Sequence, residues 1–137
     1  MNAIRAAVMM ALWLAATSAC TTGVSPGCAA TERRLVQDLL YFGTTKPTGV
    51  VTPAEWTDFL GGVVTPRFPH GLTVWPASGQ WRGTDGAIVR EPSFVLSLIH
   101  PADEASETAI RAIIDEYKAR CRQEAVLRVR SQACVSL

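Results

Sequence analysis

Apolar residues along the chain occur in runs and stripes whose spacing predicts alternating strands and helices. Residues 35–42 form a mostly apolar run that ends at Gly43, which favours a largely buried strand. Residues 44–51 carry Pro47 and Gly49 and are predicted to form a loop.

The segment after this loop has the signature of a helix start. Thr52 is a capping residue, Pro53 suits the first turn, and Glu55 stands three residues after the cap. A stripe with helical spacing follows and Pro66 ends it. The members of the stripe are Trp56, Phe59, Leu60, Val63 and Val64.

Two strands joined by a tight turn are predicted next. Asp85-Gly86 is a strong signal for a two-residue turn over residues 84–87, because a type I′ turn needs positive φ at both central positions. The flanking strand segments are 71–74 and 80–82 before the turn and 88–91 and 94–99 after it, with interruptions at 76–79 and Pro92. This turn would place Trp81 opposite Arg90, and Gln80 opposite Glu91.

A second helix and a last strand complete the pattern. The acidic residues 103–107 suit a helix N-terminus and are expected to face solvent, and an apolar stripe runs from Ile110 to Cys121. Residues 126–129 form the last strand, with Arg128 and Arg130 expected on its solvent face. The order βαββαβ predicts an α+β, ferredoxin-like fold. In this fold a four-stranded antiparallel sheet, in the order 4-1-3-2, carries both helices on one face.

The N-terminus is predicted to be an export signal. One positive charge at Arg5 precedes an 11-residue apolar run, which is too short to span a membrane. Thr17-Ser18-Ala19-Cys20 resembles a lipobox, in which Cys20 is lipidated; the alternative is ordinary cleavage near Ala19. We therefore expect a signal peptide over 1–19, a lipidated N-terminus and tether over 20–31, and one domain over 32–137. Thr21 follows the cysteine, so an outer-membrane lipoprotein is expected if the source is diderm.

Several motifs in one order resemble the bacterial domain-of-unknown-function family 3574. They are Tyr41-Phe42-Gly43, Trp56-x-x-Phe59, the segment 66–73, Gly79-Gln80-Trp81-Arg82, Arg90-Glu91-Pro92-Ser93 and the late segment 123–127. His70 departs from the acidic residue that is usual in the family. The resemblance implies a small exported protein, often a lipoprotein, and implies no activity.

Composition and charge narrow the function classes further. The formal net charge is +1, which gives no electrostatic footprint for nucleic acid. The sequence contains no recognisable nucleophile, phosphate-binding or metalloprotease motif, and it implies no cofactor. We therefore expect a binding or structural role in the cell envelope rather than catalysis, with the membrane reached through the N-terminal lipid. A further alternative is a homodimer that packs exposed sheet faces together, and the other candidate partner is an envelope protein.

Four residues are candidates for binding a small ligand. Trp81 and Arg90 would form an aromatic, charged wall on the hairpin, or simply a stabilising cross-strand pair. Tyr41 and Glu91 are expected to meet Gln123 at one edge of the sheet. A carboxylate beside a tyrosine can transfer protons in a small enzyme, whereas the structural alternative is a hydrogen-bond cluster that ties strand ends together.

Histidine and cysteine positions suggest two further features. His70 and His100 are predicted to lie close together, but no third ligand is evident, so a metal site is not expected. If a disulfide forms, it joins Cys28 to Cys134, because the first and last strands are adjacent and antiparallel in the predicted sheet. Cys121 lies on the apolar stripe and is expected to be a buried free thiol. The alternative is three free thiols.

Overall fold

The structure is a computed structural model that describes residues 27–82 and 85–136. The predicted signal peptide, Cys20 and residues 20–26 of the tether lie outside the described residues. The strands are β1 (Arg33–Gly43), β2 (Thr45–Lys46), β3 (Gly49–Val50), β4 (Thr73–Arg82), β5 (Ile88–His100) and β6 (Leu127–Val135). The helices are α1 (Pro53–Phe59), which continues as a π-helical turn over Leu60–Val64, and α2 (Glu104–Cys121).

The four long strands form one antiparallel sheet in the order β4-β5-β1-β6. Numbered among themselves, these strands have the predicted order 4-1-3-2. The small hairpin of β2 and β3 lies within the predicted loop 44–51 and was not predicted. Two-residue strands lack the alternating pattern that a sequence can reveal.

Both helices pack on the same face of the sheet. Even-numbered residues of β1 and β5 point toward this face, and Leu40, Phe42, Leu96 and Leu98 are fully buried there. They join one core cluster with residues from α1 and α2, including Trp56, Phe59, Ile110, Ile113 and Tyr117. Odd-numbered residues of the long strands point to the opposite face, which no helix of the described residues covers. We call this second surface the open face.

The predicted start of α1 is confirmed. Thr52 accepts a hydrogen bond from the backbone N–H of Glu55, and the Glu55 side chain accepts from the backbone N–H of Thr52, which completes a capping box. The helix changes after Phe59, since the backbone N–H of Thr65 donates to Leu60 O with π-helical spacing. Gly61 and Gly62 lie in this turn, where the absence of side chains makes the wider turn easier to adopt.

The interruptions expected in the hairpin strands do not occur. Pro76 lies within β4, which is an edge strand, so its missing N–H costs the sheet no hydrogen bond where it faces outward. Pro92 lies within β5, one residue before Ser93, where the pairing with β1 ends. Its carbonyl accepts a hydrogen bond from the backbone N–H of Thr44. Both strands are therefore continuous, and they extend past β1 as a two-stranded arm.

The α2 helix begins as its acidic start predicts. Asp103 caps it by accepting from the backbone N–H of Ser106 at 2.8 Å, and Arg122 ends it in the left-handed conformation. Cys121 is a buried free thiol, as expected. Its burial raises the pKa of the thiol. No helix among the described residues is long and apolar enough to cross a membrane.

A disulfide joins Cys28 to Cys134, the pairing expected from the sheet order, with the two Cα atoms 5.4 Å apart. β6 is longer than predicted, so Cys134 lies inside the strand and pairs with Arg34 of β1. The bond connects residues 106 positions apart in sequence. It therefore closes nearly the whole domain into one covalent ring.

Candidate functional site

A cavity of about 270 Å³ lies between the segment after α1, the end of β5 and the first turns of α2. Phe68, Pro69 and Ala109 give it an apolar lining, and Arg67, His70 and Ser106 add polar groups. His100 forms part of its wall. The cavity therefore brings together both histidines of the chain, as the sequence predicted.

Both ring nitrogens of His100 have a polar partner within the fold. Its Nδ1 is 2.7 Å from Pro101 O, and its Nε2 is 2.8 Å from Oδ2 of Asp38. The partner atoms, a carbonyl oxygen and a carboxylate oxygen, are both hydrogen-bond acceptors. Since both nitrogens are engaged within the fold, His100 offers the cavity the surface of its ring rather than a free nitrogen.

Neither histidine belongs to the group of potential metal ligands that the described residues bring together. Among the described residues, one group of three close ligand atoms consists of Cys28, Glu32 and Cys134. The two sulfur atoms of that group are bonded to each other, so neither is a free thiolate.

A network of charged side chains lies beneath α2, beside the cavity. Arg128 donates to Oδ1 and Oδ2 of Asp38 at 2.7 and 2.8 Å, and to both carboxylate oxygens of Glu107 at 2.9 and 2.8 Å. Arg130 and Arg111 also donate to Glu107, at 3.1 and 3.0 Å. The network ties β1, β6 and α2 together.

The charged network keeps both acids ionised. Burial acts to raise the pKa of Asp38, but hydrogen bonds from Arg128 and His100 outweigh it, so this pKa lies below its usual value. Hydrogen bonds from Arg128 lower the pKa of Glu107 to about 2. The same two partners raise the pKa of Arg128, so its charge persists at any physiological pH.

This network corrects two expectations. Arg128 does not lie on the solvent face of β6, because its even-numbered position points toward α2. Glu107 belongs to the acidic start of α2, yet it binds three arginines instead of only facing water. The sequence signal was Asp38, a lone charge in an apolar strand, which requires a partner when buried.

The predicted pairing of Trp81 with Arg90 is wrong. Trp81 pairs with Val89, and Gln80 pairs with Arg90, whose Nε donates to Gln80 Oε1 at 2.9 Å. The last pair of the hairpin is Arg82 with Ile88, so a loop of five residues connects the two strands. The sequence predicted a shorter, two-residue turn. Gly86 does have the predicted positive φ, 84°; Gly83 and Thr84 lie outside the described residues. The shift by one residue turns Arg90 to the face opposite Trp81.

Tyr41, Trp81 and Glu91 share the open face, because all three occupy odd-numbered strand positions. Among the described residues, no hydrogen bond joins any of these side chains to another. Tyr41 lies at the middle of the sheet, whereas Trp81 is at the tip of the arm. The alternation of the strands thus places them on one surface without assembling them into a site.

Glu91 and Gln123 do converge, and they converge on Thr45. The backbone N–H of Thr45 donates to Glu91 Oε1 at 2.7 Å, and Gln123 Nε2 donates to Thr45 O. The carboxylate of Glu91 also occupies the space beside Gly43, where an added Cβ would lie 2.7 Å from Oε1. The arrangement matches the structural alternative, a cluster that ties strand ends together.

Sequence comparison decides the family. The model of the family described as "Protein of unknown function (DUF3574)" matches residues 37–137. This chain belongs to that family. No curated protein matches the sequence.

Solved structures with the same fold come from distant proteins. A phage SAM lyase in complex with S-methyl-5'-thioadenosine matches with a TM-score of 0.54 at 12% identity, over 83% of this chain and 96% of the lyase chain. CutA from Synechococcus elongatus PCC7942 matches with a TM-score of 0.51 at 14% identity, over 75% of this chain and 80% of the CutA chain. At these identities the likeness shows the fold of this DUF3574 member and nothing of its activity.

Proposed function

We propose that this DUF3574 protein is an exported, lipid-anchored envelope protein whose domain serves a binding or structural role. The observation that carries the proposal is the Cys28–Cys134 disulfide. Such bonds persist in exported proteins and are rare where thiols are kept reduced. A domain closed by this bond fits the export signal expected over residues 1–19.

The position of the disulfide also fits a membrane tether. Cys20 stands eight residues before Cys28 in the sequence. A lipid on Cys20 would therefore hold the domain close to the membrane through a short segment that enters the fold at the disulfide. The small and polar residues of this segment suit a flexible connection.

Binding is favoured over catalysis by the positions of the acidic groups. Glu91 is engaged with the backbone N–H of Thr45, and Asp38 and Glu107 are engaged with Arg128. A general base must reach a proton of its substrate, whereas these carboxylates hold the fold together.

Metabolic labelling tests the anchor. Labelled palmitate should enter the wild-type chain and should not enter Cys20→Ser, while Cys121→Ser, which removes a buried thiol, should label normally. After fractionation the wild type should be found with the membranes, and with the outer membrane in a diderm host. Equal labelling of wild type and Cys20→Ser, or a wild-type mass without lipid, would contradict the proposal.

A second candidate is binding of a small organic molecule, and the cavity beside His100 is what favours it. Its apolar wall and its polar rim of Arg67 and His70 resemble a typical small-ligand site on a modest scale. The SAM lyase of the same fold was solved with S-methyl-5'-thioadenosine, which makes that nucleoside a reasonable first probe. The predicted alternative site, with proton transfer by Tyr41 and Glu91 beside Trp81, lies on the open face instead.

A thermal-shift screen separates these possibilities. A ligand at 100 times its dissociation constant should stabilise the fold by about 2.7 kcal/mol. If the cavity is the site, His70→Ala should abolish the shift and Trp81→Ala should preserve it; the reverse result would assign the site to the open face. A library of nucleosides and small carboxylates that produces no shift would leave this candidate without support.

A further inference from the structure

We infer that the open face is the interface between two copies of this chain. The inference goes beyond the proposed function and does not depend on the lipid anchor. It rests on the apolar residues of this face, on the distribution of charge over the two faces of the sheet, and on the size of the surface.

One row of large side chains crosses the whole open face. Trp75 pairs with Val95, Val95 pairs with Tyr41, and Tyr41 pairs with Leu127, so the row includes all four strands. Leu127 and Trp75, at the two ends of the row, are 61% and 41% exposed, and Val129 next to Leu127 is 44% exposed, whereas Val95 within the row is buried. Large apolar side chains exposed together on one surface mark an interaction site on a protein.

Most charged residues of the sheet lie on the side that faces the helices, and few lie on the open face. At the odd-numbered positions of the four long strands, Arg33 and Glu91 are the charged residues, and they lie near opposite ends of the sheet. The even-numbered positions, which face the helices or their rim, carry Arg34, Asp38, Arg82, Arg90, Arg128 and Arg130. An antiparallel sheet with one wet face normally shows the reverse pattern. The open face therefore has the composition of a surface that is covered.

The two charges at the ends favour a second copy as the occupant. β1 and β5 are antiparallel, so Arg33 at the start of β1 and Glu91 near the start of β5 lie at opposite ends of the face. Consider a two-fold axis that lies between the two faces and runs perpendicular to the strands. This axis brings the Arg33 end of one copy over the Glu91 end of the other. Opposite charges then meet at both ends, and the uncharged rows meet in the middle.

The face is also large enough for a stable pair. Four strands about 4.8 Å apart and about ten residues long at ~3.3 Å per residue cover about 600 Å² on each copy. Two such faces bury about 1,200 Å², which reaches the range of specific interfaces. The arm contributes Trp81 and Val89 to the same surface.

Light scattering on the full chain tests the inference, with Cys20→Ser to keep the exported protein free of lipid. At tens of micromolar the protein should elute with twice the mass of one chain. Val129→Glu should weaken this dimer by at least ~100-fold, because two carboxylates would be buried without partners. Ile88→Glu is the matched control: Ile88 is 47% exposed but points to the other face of the arm, so this variant should remain dimeric.

Folding is checked separately, because Val129 is already exposed in one copy. Val129→Glu should keep the Cys28–Cys134 bond and a cooperative melting transition. A second comparison tests the charges: Arg33→Glu should weaken the dimer by about tenfold, and Arg34→Glu on the opposite face should not. A monomeric wild type, or equal effects of Val129→Glu and Ile88→Glu, would overturn the inference. Loss of lipid labelling in the earlier experiment would leave it intact.

Discussion

Arg128 joins the last strand of the sheet to the first, because its guanidinium donates to both carboxylate oxygens of Asp38 at 2.7 and 2.8 Å. Asp38 is fully buried, and its other contact is the ring of His100. A bidentate pair of this kind fixes the register of two adjacent strands while it satisfies a buried charge.

Removal of Arg128 should therefore be costly. Arg128→Met leaves the Asp38 carboxylate buried without its main partner, and we expect a loss of about 3–5 kcal/mol in the free energy of unfolding. Arg130→Met is the control, since Arg130 is more exposed and makes one hydrogen bond to Glu107; it should cost less than about 1 kcal/mol. Urea unfolding of the two oxidised variants and the wild type, all at the same protein concentration, measures both losses. Equal losses of unfolding free energy in the two variants would contradict the prediction that the Arg128–Asp38 pair stabilises the fold.

Acid should destabilise the protein through Glu107. Hydrogen bonds from Arg128 lower the pKa of Glu107 to about 2 in the folded chain, whereas an unfolded glutamate titrates near ~4.3. The unfolded chain thus binds the proton first, so the stabilisation is complete above about pH 5 and disappears as pH falls toward 2. Glu107→Gln should flatten the stability curve across this window. Glu104→Gln, on the same helix, should leave the acid limb as steep as in the wild type.

Loss of the disulfide should cost more than any single surface contact. Cys28→Ser releases a ring of more than 100 residues, for which chain entropy predicts a loss of about 4–5 kcal/mol as an upper figure. A reducing agent should produce the same loss in the wild type and should have no further effect on Cys28→Ser. Cys121→Ala should respond to reduction like the wild type, because its thiol is not part of the bond. A Cys28→Ser protein as stable as the oxidised wild type would contradict this prediction.

Gly43 should be intolerant of a side chain for a specific reason. A Cβ at residue 43 would lie 2.7 Å from Glu91 Oε1, so Gly43→Ala forces Glu91 away from the backbone N–H of Thr45. We expect each of Gly43→Ala and Glu91→Ala to cost about 1–2 kcal/mol. The double variant should cost about as much as Glu91→Ala alone, since the clash is then gone. Strictly additive losses would mean that the two residues do not interact.

The strand order and both helices could be predicted because their signals are local and repeated. The cap at Thr52 and the apolar stripes fixed the helix positions, and the order of elements left one common sheet arrangement. The disulfide followed from this arrangement, because it brings the start of β1 beside the end of β6. Its prediction required only the sheet order, without any side-chain detail.

The arm and the charged network show what a sequence does not specify. The hairpin loop has five residues instead of the predicted two, and the pairing of β4 with β5 is therefore shifted by one residue. This shift places Arg90 on the face opposite Trp81. The partners of Asp38 lie 90 and 62 residues further along the chain, at Arg128 and His100, so no short pattern connects them. Exposed prolines at edge positions likewise resemble strand breaks when only the sequence is read.

The ring closed by Cys28 and Cys134 also determines how the domain carries a mechanical load. A pull on the segment before Cys28 passes directly through the sulfur–sulfur bond to the residues after Cys134. The chain between the two cysteines contains both helices and nearly all of the sheet, and it lies outside this path. A force applied between the N-terminal segment and the C-terminal residues would therefore leave the sheet of this domain almost unloaded.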